Sequence, residues 1–138
     1  MDLYDWLLAL HVLSAFAGVA ALVALWGLVL GTRGPEPAFG GPLAATVGRT
    51  AGMTIGAAFG LVVVFGIWLA IEVDGYELWD GWILASLVLW AVGMVTGGKG
   101  GKEFERGPEG RAGWIRYHAF NTVATVVVLA LMIWKPGA

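Results

Sequence analysis

Residues Trp6 to Thr32 read WLLALHVLSAFAGVAALVALWGLVLGT, 27 positions without a single Asp, Glu, Lys or Arg. An α-helix crosses a hydrocarbon core of about 30 Å with roughly 17–25 apolar residues, so this stretch is long enough to span a bilayer once. Three more charge-free runs follow: Thr50 to Ile71 with 22 residues, Gly81 to Gly98 with 18 and Tyr117 to Trp134 with 18. A soluble four-helix bundle would carry charges on its outward faces every few residues, and these runs carry none. The expectation is an all-α fold, a four-transmembrane-helix bundle. It forms one integral membrane domain over residues 1–138, with helices at about 5–31, 47–71, 80–98 and 112–134.

Composition agrees. Apolar residues make up 59% of the 138 and charged residues 13%, against roughly 45–50% and 25% in soluble domains. A net charge of −2 and the lack of a basic stripe exclude nucleic acid as a partner. There is no cysteine, which excludes disulfides, thiolate metal sites and a cysteine nucleophile. The start, Met1 to Asp5, is acidic, and the apolar run that follows exceeds the 7–15 residues of a signal core. The first helix is therefore expected to remain in the mature protein.

Basic residues set the orientation. Arg33 and Arg49 fall in the first connection, and Lys99, Lys102, Arg106, Arg111 and Arg116 fall in or beside the third, seven of the eight. The second connection, Glu72 to Asp80, has four acids and no base. By the positive-inside rule the first and third connections face the cytoplasm, with both termini outside the plasma (inner) membrane. Lys135, just past the last helix, is the one exception. Tryptophans fit the same frame: Trp6, Trp68, Trp79, Trp82 and Trp134 at the outer level, Trp26 and Trp114 at the inner. Trp90 falls mid-membrane as a packing residue. Gly31 to Pro37 and the run Gly97-Gly98-Lys99-Gly100-Gly101-Lys102 read as helix ends and loops, neither with the spacing of a phosphate loop.

Gly48, Gly52, Gly56 and Gly60 recur at every fourth position of the second helix, a smooth face that lets another backbone approach closely. Packing within the chain is the first reading of this glycine zipper; a homo-oligomer seam is the second. His11 and His118 are the two titratable side chains within the spans, and burying such groups is costly enough to make them candidates for function. His11, Ser14 and Gly18 share one face of the first helix. His118, Asn121, Thr122 and Thr125 form a polar stripe on the fourth. Both stripes should face the bundle interior, as a pocket or as interhelical glue.

Counting from the tryptophan belts puts His11 about 7.5 Å below the outer level and His118 about 6 Å above the inner, so their heights differ by about 16 Å. One metal ion, with histidine nitrogens about 2 Å away, cannot bind both, and neither can a haem take both as axial ligands. Ser86 falls level with His11, which suggests haem b held by a single histidine, with His11, Ser14 and Ser86 around it. Met53 and Met94 fall level with His118, and thioethers with imidazole suit cuprous copper. No Asp or Glu lies within the spans, so no carboxylate proton relay is expected.

The segments Trp6-Leu7-Leu8-Ala9-Leu10-His11-Val12-Leu13-Ser14-Ala15 and Leu131-Met132-Ile133-Trp134-Lys135-Pro136 resemble a family of four-helix integral membrane proteins, domain of unknown function 2269. The early histidine is similar, more distantly, to that of CopD-like copper-associated membrane proteins and HemJ-type protoporphyrinogen oxidases. The resemblance implies a haem or copper connection carried by His11. Gly18-Val19-Ala20-Ala21 stand where such proteins commonly have Trp-x-Gly-Gly. The HemJ type also pairs its histidine with a basic residue on helix three, whereas Lys99 and Lys102 lie beyond that helix as read from the sequence. The functional expectation is a non-catalytic bundle, haem- or metal-associated or an accessory subunit of a larger membrane complex. The rival is a homo-oligomeric channel or transporter assembled through the helix-two glycines.

Overall fold

The computed structural model describes residues 2–31, 41–73 and 76–136. Arg33, the Gly34-Pro35 break and Asp74 lie outside the described residues. Four α-helices, α1 (Leu3–Gly31), α2 (Pro42–Glu72), α3 (Gly81–Glu105) and α4 (Arg111–Trp134), follow one another, with a 3-10 turn at Gly107–Gly110 before the last. All four are long and apolar enough to cross a membrane.

Two of the helices outrun their expected bounds. α2 begins at Pro42 rather than near 47 because proline at the first helical position lacks only an N–H that would have no partner there. Its 31 residues reach about 46 Å at 1.5 Å each, longer than the core, which leaves the exposed Arg49 within helix. α3 does not stop at Gly98: the run read as a loop from Gly97 to Lys102 is helical through Glu105. Four glycines there cost about 1 kcal/mol each relative to alanine, and packing against α4 offsets that cost. A Cβ on Gly97 would lie 3.4 Å from the Asn121 amide, and one on Gly100 would lie 3.2 Å from Tyr117 Cβ. Larger side chains would hold the two helices apart. α3 ends where Gly107 takes a left-handed backbone, φ 64°, as a helix C-terminus commonly requires of glycine.

α1 lies along α2 and α3 along α4, while the two hairpins touch each other sparsely. The α1–α2 seam is built from small residues. Ala21 and Ala51 are buried in one cluster, and the Phe59 ring sits against Gly18, where a Cβ would come within 2.6 Å. The hairpins close on each other mainly at their two ends. At the end bearing the basic residues, Leu25, Val29, Ala51 and Trp114 are buried with Phe104 against them. At the end bearing the termini, Ala70, Trp82 and Ile83 are buried with Tyr76, Leu87 and Met132. Trp82 and Trp114 are buried in these clusters, whereas Trp6, Trp68, Trp79 and Trp134 are exposed.

Candidate functional site

Between the end clusters the hairpins leave a cleft of about 1550 Å³ that runs the height of the bundle. Ligand pockets commonly occupy about 300–1,000 Å³, so this one is large. α1 contributes His11, α2 Gly52 and Gly56, α3 Ser86 and Trp90, and α4 His118 and Asn121.

His11 is half-buried, and its Nδ1 lies 2.9 Å from the Val62 carbonyl on α2. A carbonyl oxygen only accepts, so Nδ1 carries the proton and, in the uncharged ring, Nε2 keeps its lone pair. The Nδ1–Cε1 edge of the ring rests against Gly66, where a Cβ would come within 3.0 Å of Cε1. Gly66 therefore makes the room that lets the imidazole lie between α1 and α2. A ring fixed by Nδ1–H to a backbone carbonyl, with Nε2 left for an incoming group, is how metal-binding histidines are commonly oriented.

His118 is held differently. Its Nε2 lies 3.0 Å from the Leu22 carbonyl of α1. The ring stacks on Trp114 at 4.5 Å and leans on Trp26 at 5.0 Å. It is 5% exposed, caged by aromatic faces. Leu22 is eleven residues from His11 along α1, about 16 Å of helix rise, so the two histidines meet α1 at well-separated levels. Met53 and Met94 line the same cleft as His118, with 60% and 42% of their surface exposed. Among the described residues no group of three His, Cys, Asp or Glu side chains comes together.

Of the remaining polar residues, Asn121, Thr96, Thr122 and Trp26 tie helices to one another, while Thr125, Ser14 and Ser86 bond within their own helices. Thr96 donates to the Val92 carbonyl at 2.9 Å, so it accepts from the Asn121 amide NH2 at 2.6 Å. The Asn121 carbonyl then accepts from the Gly97 N–H at 3.2 Å. Thr122 accepts from Trp26 Nε1 at 2.9 Å and donates to the His118 carbonyl. Thr125 donates to the Asn121 carbonyl, Ser14 to Leu10 and Ser86 to Trp82. Ser86 opens on the cleft with His11; Ser14 is buried and is not among the lining residues. The sequence gives no sign of a supporting role for Gly66 or Thr96, and marks Trp26 only as an inner-level tryptophan. Only the fold reveals that they support His11, His118 and Asn121.

The α2 glycines are used unevenly. A Cβ on Gly48 would collide with the Phe104 ring, whereas one on Gly52, Gly56 or Gly60 would meet nothing within 4 Å. Packing within the chain, the first reading of that stripe, holds only at Gly48. The close helix approach occurs on α3 instead, where Gly93, Gly97 and Gly100 face α4.

No family model matches the chain, and no curated protein or solved structure shows significant similarity to it.

Proposed function

We propose that this chain is a small membrane-embedded binding protein that holds a haem-type planar group in the cleft between its hairpins through His11. It would act alone or as an accessory subunit of a larger complex in the plasma (inner) membrane, with both termini outside. The observation that carries this reading is His11 itself: one nitrogen bonded to the Val62 carbonyl, the other with its lone pair, on the wall of a cleft large enough for a macrocycle. Haem iron is often held by one such histidine. The group, when bound, would supply one-electron chemistry; the chain's residues orient it and keep water away. A binding role fits the lack of any second titratable side chain beside His11 within the spans. Ser86 is on the same wall and Ser14 behind it. The more distant likeness of the early histidine to that of CopD-like and HemJ-type proteins points the same way.

The test is haemin titration into the detergent-purified protein, with His11→Ala and His118→Ala beside it. Binding lost in His11→Ala and kept in His118→Ala supports the reading; equal binding by all three overturns it. Elemental analysis of the same samples tests copper at His118, Met53 and Met94.

A second reading is favoured by one observation. Gly52, Gly56 and Gly60 present a smooth face that no residue of the chain fills; Gly52 and Gly56 look into the cleft, so a second copy packing through α2 would have to enter between the hairpins. The pore that a channel would need has less support, because Asn121 and Thr122 already bond to neighbouring helices. Gly52→Leu with Gly56→Leu should abolish an oligomer built on this face; an unchanged oligomer sinks it.

A further inference from the structure

At the end of the cleft that carries the termini, the Lys135 ammonium, the Tyr76 hydroxyl and the Trp82 indole are neighbours. The Lys135 ammonium bonds to the Tyr76 hydroxyl and stands 4.6 Å from the centre of the Tyr76 ring and 6.0 Å from that of Trp82. The two rings touch edge to face at 5.7 Å. All three residues line the cleft. Since an ammonium only donates, the Tyr76 oxygen accepts and keeps its own proton to give. Trp82 is 9% exposed, and its indole N–H is buried without an acceptor. An unserved buried N–H is costly anywhere and more so in lipid.

None of the nearby described acids serves these donors. Asp2 and Asp5 cap each other's backbone, Glu72 accepts from Trp68, and Asp80 accepts from the Glu77 N–H. Among the described residues the one ion pair is Arg106–Glu103, at the opposite end. The backbone brings Lys135 to this place at a cost. It is the only described non-glycine residue with positive φ, 39°, a conformation that costs an ordinary side chain roughly 1 kcal/mol. Pro136 disfavours the right-handed helical region for the residue before it, so α4 stops here.

We propose that this mouth binds the phosphate of an anionic phospholipid, with the acyl chains lying in the apolar cleft between α2 and α3. A phosphate diester offers only acceptors, which suits a mouth whose polar groups, the Lys135 ammonium, the Tyr76 hydroxyl and the Trp82 indole, have hydrogens to donate. Trp79 and Trp134, 80% and 79% exposed, mark this level as the membrane–water interface, where lipid phosphates lie. Because α2 and α3 pack sparsely, chains can pass between them. A zwitterionic lipid brings its own ammonium against Lys135, so the site discriminates by net charge. The headgroup contacts do not involve His11, although the acyl chains would enter the cleft that His11 lines.

The test uses the full chain in mixed micelles, with retained lipid counted by native mass spectrometry. Phosphatidylglycerol and phosphatidylcholine with identical acyl chains compete at equal concentration. The wild type should prefer phosphatidylglycerol by about tenfold, the scale of a charge-assisted hydrogen bond. Lys135→Gln should lose most of that preference and Trp82→Phe part of it, while Lys135→Arg, His11→Ala and Lys102→Gln keep it. Circular dichroism confirms that each variant is folded. Equal retention of the two lipids by the wild type, or an undiminished preference in Lys135→Gln, overturns the proposal and leaves Lys135 an interfacial anchor only. Displacement of the lipid by equimolar oleate overturns it in favour of a carboxylate ligand.

Discussion

His11 and His118 are the same residue type at similar distances from opposite membrane faces, yet their surroundings differ. His118 is closed in by two indoles and a carbonyl, while His11 has a glycine beside it and an open wall in front. Substituting His118 by Ala should therefore act on stability: it removes an interhelical bond worth about 1 kcal/mol in membranes and the ring packing besides. A steric-trap or SDS-unfolding measurement would register that loss, whereas His11→Ala should lose less stability and all of the ligand. Asn121→Ala should cost a comparable 0.6–1.7 kcal/mol, roughly the range for membrane hydrogen bonds, because it unties Thr96. The sequence made these residues candidates, since polar side chains in apolar runs are few. It could not distinguish cage from cleft. That difference lies in Gly66 and Trp26, which are far from the histidines in sequence and carry no polar signal of their own beyond an indole.

At the scale of helices, charge-free length was enough to define all four, because a bilayer admits few alternatives to a helix. Glycine misled in both directions. Every-fourth spacing pointed to α2 as the packed face, while the run from Gly97 to Lys102 looked like a loop. Spacing reports that close approach is allowed; which helix accepts it depends on the pairing of hairpins, which local pattern does not encode. The consequence can be measured. Gly52→Ala and Gly56→Ala fill open space in the single chain and should leave its stability unchanged or raise it by up to about 1 kcal/mol each through helix propensity. Gly97→Leu and Gly100→Leu should force α3 from α4 and lower it. If the α2 alanines destabilise and the α3 leucines do not, the two seams are assigned the wrong way round.

The whole molecule is two tight hairpins joined loosely, fastened at one end by Trp26, Phe104, Trp114 and His118 and at the other by Ala70, Trp82, Ile83 and their neighbours. The orientation proposed above rests on seven basic residues in or beside the first and third connections. The cysteine-free chain offers a clean check: in intact cells an impermeant maleimide should label Trp79→Cys and leave Lys102→Cys untouched. The reverse pattern would invert the topology and place the Lys135 mouth in the cytoplasmic leaflet. The cleft was not legible from the sequence, since four apolar runs say nothing of how closely they meet; the residues on its walls were, in part, through His11 and Ser86. What the cleft holds is the central question, and one measurement addresses it most directly: the absorption spectrum of the detergent-purified protein, oxidised and then dithionite-reduced, beside His11→Ala. A Soret band that shifts on reduction and is missing from His11→Ala is the expected result. A wild-type spectrum with no such band, even after haemin is added, would contradict a haem role and leave His11 as a bond between α1 and α2.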